Sequence, residues 1–347
     1  MKALLFTKAK KQNGGKTVMK QVFLLILATF FSASLMLGQD KNPDGLTLNQ
    51  NPEKAEIVVS DLALFWRAYD QAKPENNLIV YRDEYFKKGS VGLQEFLRSK
   101  IGNSCNLVTA IDAAPKYYAA LRAQSAKVEN YKPQMLASFK KLKEIHPDAV
   151  FPNVYFVIGR MNTGGTATFK GLLIGVEMYG KTDDASLAEL SGWKKSAVDK
   201  VERIPFIVAH ELVHYQQRNA HLTSLFGGEV NLLGKSLSEG SADFVGELIS
   251  GGNINQQIHE YANPREKQLW LEFKKEMNGN DASNWLYQGD KAKDKPADLG
   301  YYVGYKIVES YYNKAKDKKQ AIKDILEIKD FNHFLKASGY DEKFPVE

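Results

Sequence analysis

The sequence predicts an α+β fold, mainly helical, and three observations predict it. Apolar residues recur three or four apart in LFWRAYDQA, LQEFLRSK, AAPKYYAALRAQSAKV and QMLASFKKLKEI, all between Ile57 and about Pro147. Two short runs, VYFVIG (154–159) and GLLIGVEMYG (171–180), have strand length and β-branched content, with the turn-rich Gly164-Gly165 between them. Helical spacing returns after Gly192, in segments from about Pro205, from about Ser236, and around 254–277, 299–315 and 318–328. Short strands flanked by runs of helices make an α+β domain rather than an alternating α/β sheet.

The chain opens differently. Residues 22–38, VFLLILATFFSASLMLG, carry no charge and follow Met19-Lys20. A basic start, an apolar stretch and small residues at its end describe a secretory signal peptide, and the run is slightly short for a spanning helix. Residues 1–38 are therefore expected to be a targeting segment, with the signal peptide at about 19–38 and Met19 a candidate native start. Ser32-Ala33-Ser34 and Gly38 are both candidate exits, which puts the mature N-terminus between about Leu35 and Asp40. An uncleaved anchor is the alternative. No cysteine lies at the end of the run to accept a lipid. Residues 39–55, polar with two prolines, read as a linker, and 56–347 as one catalytic domain.

Composition limits what the domain does. The 347 residues are 44% hydrophobic and 25% charged, an ordinary globular balance. Net charge is +6, but six of the 47 basic residues lie in 1–38, which hold no acid. The rest of the chain has 41 basic against 41 acidic residues, so no basic patch argues for nucleic acid. Cys105 is the sole cysteine, which excludes an internal disulfide framework and cysteine-rich metal sites. It reads as a small buried residue.

The stretch that carries chemistry is IPFIVAHELVHYQQ (204–217). Pro205 suits a first helical turn, and the apolar surroundings suggest a half-buried helix. His210 and His214, four apart, lie one turn apart on one face, where two imidazoles meet one ion. Glu211 is adjacent and reaches a metal-bound water rather than the metal. A catalytic site needs a third ligand and an open position. Glu239, in SLSEGSADFVGEL, opens another apolar-periodic helix with Asp243 one turn on. A liganding carboxylate followed by a carboxylate that accepts an imidazole N–H makes chemical sense. Against this stands a capping box, Ser236 at the N-cap and Glu239 merely at the third helical position. His221 is the other histidine candidate, one residue off the longer HExxHxxGxxH spacing, in which Gln217 and Ala220 hold the places of the glycine and the last histidine. Glu229 and Glu247 are carboxylates without an acidic partner four residues later.

HELVH followed by EGSAD resembles the gluzincin zinc metallopeptidases. FIVAHELVHYQQ, SEGSADF and GYYVGYKIV look like a bacterial family of predicted zinc-dependent proteases, over about 204–310. The resemblance implies a thermolysin-like core with a small sheet beside the HExxH helix. It also implies His210, His214 and Glu239 as zinc ligands, Glu211 as catalytic base and Asp243 as partner of His210. Tyr301, Tyr302 and Tyr305 are candidates for stabilising a developing oxyanion, with Tyr302 preferred. His146, His259 and His333 lack partners at ligand spacing and read as structural or exposed. GLLIGVEMYG is either an ordinary core strand or one able to pair with an extended peptide.

The functional expectation is a zinc metallohydrolase, secreted or periplasmic, most simply a peptidase with peptide or protein substrates and no stable membrane span. Zinc-activated water would do the chemistry with Glu211 as general base. Two rivals stand beside it: a non-catalytic envelope binding or assembly protein on a metallopeptidase fold, and a zinc hydrolase of a non-peptide amide.

Overall fold

The chain divides into two units, Met1–Asp40 and Lys41–Glu347. The computed structural model describes residues 48–182, 187–220, 230–292 and 295–345, all in the second unit. The signal segment at 19–38, His221 and Glu229 lie outside the described residues.

Helix accounts for 65% of the structure, beside a four-stranded sheet, so the mainly helical α+β expectation holds. The first helices are α1 (Ser60–Gln71), α2 (Asn77–Val80), α3 (Val91–Phe96), α4 (Ser104–Ala113), α5 (Pro115–Ser125) and α6 (Lys132–Ile145). The strands are β1 (Ile57–Val58), β2 (Val154–Val157), β3 (Gly165–Thr168) and β4 (Gly171–Gly175), in the order β1-β2-β4-β3. β1, β2 and β4 run parallel, and β3 returns antiparallel along β4. Every residue of β2 and β4 is buried, which explains their continuous rather than alternating apolar pattern. α1 and α3 pack against β2, and the later helix α8 packs against β3 and β4.

Three boundaries differ from the sequence expectation. Ile57–Val58 is strand, because its partner is the distant β2. Gly165–Thr168 is strand although GTAT has no apolar alternation, since Thr166 and Ala167 register with Leu173 and Leu172 of β4. The run GLLIGVEMYG is strand only to Gly175. It then turns in a 3₁₀ helix over Val176–Tyr179, which aims the buried Glu177 carboxylate at the Met161 N–H.

The second half supplies α7 (Trp193–Ala197), α8 (Ile204–Ala220), α9 (Leu232–Ser250), α10 (Gln256–Ala262), α11 (Glu266–Glu276), α12 (Leu299–Lys314), α13 (Lys318–Leu326) and α14 (Phe331–Ser338). The 254–277 segment is two helices, because Asn263-Pro264 interrupts the ladder in a 3₁₀ turn. α8 is buried on nearly every side rather than on one. Val208, Ala209, Leu212 and Val213 are inaccessible, and His210, Glu211 and Gln217 are buried with them. Burying a side chain such as Leu212 contributes about 1.5–3 kcal/mol, and this holds α8 between the sheet and α9. α9 crosses α12 at Gly240 and Gly304, where a side chain on either would overlap the other helix's backbone. That close approach sets how deeply Glu239, the residue before Gly240, sits in the interior. Among the described residues no helix is long and apolar enough to cross a membrane.

Candidate metal centre

α9 decides between the two readings of Glu239. The helix starts at Leu232, with Asn231 as N-cap accepting the Gly234 N–H at 2.9 Å. Its first N–H groups are satisfied from the turn after α11, Leu232 N to Gly279 O and Leu233 N to Met277 O, both at 2.8 Å. Ser236 therefore lies a full turn inside the helix, fully buried, and cannot be its cap. Glu239 is a mid-helix carboxylate pointed at α8.

Three side chains converge there. The Nε2 atoms of His210 and His214 sit 3.0 Å apart, Glu239 Oε2 is 3.0 Å from His214 Nε2, and it is 3.6 Å from His210 Nε2. Metal bonds of about 2.0–2.1 Å at tetrahedral angles place ligand atoms about 3.3 Å apart, so this triangle has the size of one face of a tetrahedral site. Among the described residues these three are the group that could hold a metal ion.

The hydrogen bonds behind the triangle fix the tautomers. His210 donates from Nδ1 to Asp243 Oδ1 at 2.8 Å. His214 donates from Nδ1 to Gln217 Oε1 at 2.8 Å, and the Gln217 amide is oriented because its nitrogen donates to the Ser238 carbonyl at 3.0 Å. With both Nδ1 atoms committed as donors, both Nε2 atoms present lone pairs to each other. Two lone pairs 3.0 Å apart repel unless a cation lies between them and the carboxylate. The donor set therefore fits a metal ion on internal evidence.

A proton competes for the same place. Burial works against charge on His210, but its hydrogen bonds to Asp243 and Glu239 outweigh that and push its pKa up to about 10. Burial likewise opposes charge on His214, and Glu239 reverses it, raising His214 above its ordinary value. Burial would raise Glu239, yet His214 and His210 hold it well below the usual carboxylate range. Glu211 behaves oppositely. Burial raises it, and the two histidines only partly offset this.

The cleft over the triangle has a volume of about 640 Å³. β3 forms one wall through Gly165, Thr166 and Ala167, and α9 and α14 form another through Gly234, Leu237 and Phe331. Gly165 closes directly over Glu211, since a Cβ there would come within 2.7 Å of Glu211 Oε1.

The tyrosines sort differently from the expectation. Tyr302 does not line the cleft. It is buried on the far side of α12, where its hydroxyl donates to Asn263 at 3.1 Å and its ring meets His259 edge-on. Tyr305 turns away too, donating to Glu247 at 3.0 Å. Glu247 is thus engaged by Tyr305 and Asn253 and is no ligand of this triangle. It is Tyr301 that lines the cleft, stacked on His210 with ring centres 6.2 Å apart. The helical step of 100° per residue decides this, because α12 can present only one of two adjacent tyrosines to α8. Cys105 is exposed on α4 rather than buried. His146 is buried and part of no metal-ligand group.

Three contributors were not anticipated. Gln217 carries a signal in the sequence, lying three residues after His214 on the same helix face. Asn255, whose side-chain nitrogen donates to Asp243 Oδ2 at 2.7 Å, does not. Nor does Tyr287, whose hydroxyl donates to Glu239 Oε1 at 2.7 Å.

A family model described as gliding motility protein GldB matches residues 65–342. The chain belongs to this family. The match runs from within α1 to beyond α14 and contains all of the cleft and the triangle. It overturns the identification with gluzincin peptidases, which rested on HELVH and EGSAD, because the family is one of gliding motility proteins and no peptidase family matches. The reading as a peptide-hydrolysing enzyme with Glu211 as general base is corrected with it. The physical reason is that two imidazoles four apart and a carboxylate on a neighbouring helix specify a place for a cation, not a reaction. Family membership is consistent with an exported, envelope-associated protein. No curated protein and no solved structure matches the chain.

Proposed function

We propose that this is an exported envelope protein of the gliding machinery, a non-catalytic binding or assembly component whose cleft holds a divalent metal ion, zinc. Residues 1–38 act as its targeting segment and 56–347 as one domain, with the α8–α9 pair and the sheet arranged on a thermolysin-like plan. The observation that carries the reading is the family match over 65–342, which includes every residue of the triangle. Zinc is favoured by the donor set, two imidazole nitrogens and one carboxylate oxygen at near-tetrahedral spacing. Bound there, zinc would supply positive charge and an open coordination position facing the cleft. His210, His214 and Glu239 would hold it, and Asp243 and Gln217 would keep both imidazoles in the liganding tautomer. The cleft, with Lys100 and Lys235 in its lining, would receive a segment of a partner protein.

The test is gliding itself. In a gliding cell lacking its own copy, Glu211→Gln is expected to restore motility like wild type, because no proton transfer is asked of it. His214→Ala is expected to fail while reaching the envelope in normal amount. Loss of gliding in Glu211→Gln at normal protein level overturns the non-catalytic reading. Normal gliding in His214→Ala removes the metal centre from the function.

A further inference from the structure

The neighbour of Glu239 that no motif announces is Tyr287. Its backbone sits at φ 58, in the left-handed region that few residues other than glycine adopt. Its side chain is 63% exposed, so apolar burial does not compensate for that conformation. The loop around it is built to keep it there. Asp298, itself at φ 65, accepts the Gln288 N–H on its carboxylate at 3.4 Å, and its own N–H donates to Gln288 Oε1 at 2.9 Å. Gly300 N then donates to Trp285 O at 2.8 Å, closing the loop onto the start of α12. Backbone held in a sparsely populated region by surrounding bonds is characteristic of sites where one side chain must be aimed.

The aim is specific. The Tyr287 hydroxyl reaches Glu239 Oε1 at 2.7 Å, while the other oxygen, Oε2, is the one 3.0 Å from His214 Nε2 and 3.6 Å from His210 Nε2. The two oxygens are thereby assigned different partners. A free carboxylate can offer both oxygens to one ion and fill two of its positions. A carboxylate whose second oxygen accepts a phenol hydrogen offers one. Tyr287 also lines the cleft.

We propose that Tyr287 is a positioning residue that makes Glu239 a one-oxygen ligand and so keeps a coordination position open toward the cleft. This rests on the metal reading above. The experiment loads the purified full chain with Co²⁺ and compares wild type with Tyr287→Phe and Tyr287→Asn. The first variant keeps ring and backbone and removes only the hydroxyl. The second tolerates the left-handed conformation and also lacks the hydroxyl. Wild type should show the intense visible bands of four-coordinate cobalt. Both variants should show the weaker bands of a five-coordinate ion, with affinity changed by about tenfold, the lower end for a group supporting a ligand. Metal-free melting temperatures should fall slightly and equally in the two variants, because each removes the same donor to Glu239. Identical spectra and affinities in wild type and Tyr287→Phe overturn the inference and leave the metal centre standing. A wild-type chain that takes up no Co²⁺ overturns both.

Discussion

Two regions of this protein bury side chains equally well and for different reasons. Around α1, the 81–86 turn, α5 and the sheet, the interior is aromatic. Phe65, Tyr85, Phe96, Tyr117 and Tyr118 are inaccessible, and Phe65 alone meets the rings of Trp66, Tyr81 and Tyr85. Its buried hydroxyls find backbone carbonyls, Tyr85 on Ile158 at 2.9 Å and Tyr118 on Gly159 at 2.8 Å. Between α8 and α9 the interior is ionisable. His210, Glu211, Glu239 and Asp243 are each 9% exposed or less. The first interior is stabilised by removing area from water, so its parts contribute nearly independently. In the second, His210, Glu239 and Asp243 are each bonded to another ionisable group and Glu211 lies against them, so changing one member alters the rest.

That contrast can be broken from the aromatic side first. Phe65→Ala should destabilise the fold by about 3–5 kcal/mol, the usual cost of emptying such a site. Where the variant is still folded, metal uptake should be unchanged. Urea denaturation beside metal titration measures both, and a coupled loss of affinity would show that the two regions are one network.

Asp243→Asn acts from the other side and should be smaller. Asp243 accepts on both oxygens, from His210 at 2.8 Å and Asn255 at 2.7 Å. An amide must turn its NH₂ toward one of these donors. Metal affinity should fall about 10–100-fold, about 1.4–2.7 kcal/mol. Isothermal titration with zinc gives the number, and an unchanged affinity would mean the His210 tautomer is fixed by something else.

The effect that is smallest at each step is graded with pH, at most about tenfold per unit. His210 is raised to about 10 in the metal-free fold, so protons compete with the metal well above neutrality. Zinc affinity should increase up to about tenfold per pH unit between pH 6.5 and 10, for one proton displaced. The sign for metal-free stability is opposite. A raised histidine contributes fully below its ordinary 6.5 and loses that contribution as pH rises toward 10. Thermal melts of metal-free protein across this window should decline in wild type and stay flatter in His210→Ala. A flat wild-type profile would show that the histidine is not charged in the metal-free site.

The sequence by itself determined the parts that depend on local spacing. HELVH puts two imidazoles one turn apart whenever the segment is helical, and the 3.6-residue period made α8 and α12 legible. VYFVIG and GLLIGVEMYG showed as strands from their length and β-branched content, the second five residues too long. Tertiary structure decided everything that depends on a distant partner. β1 and β3 are strands because β2 and β4 pair with them, and neither carries a pattern of its own. Glu239 is aimed at α8 because α9 begins at an Asn231 cap and is held by carbonyls just beyond α11, which moves Ser236 inside the helix. Tyr301 rather than Tyr302 meets His210 because the rotation of α12 is fixed where Gly304 presses on α9. Tyr287 reaches Glu239 through a left-handed backbone whose next residue, Gln288, is tied to Asp298, ten residues further on. A periodic pattern records which face of an element is apolar. It does not record the angle at which one element is turned against another, and that angle is what builds this site.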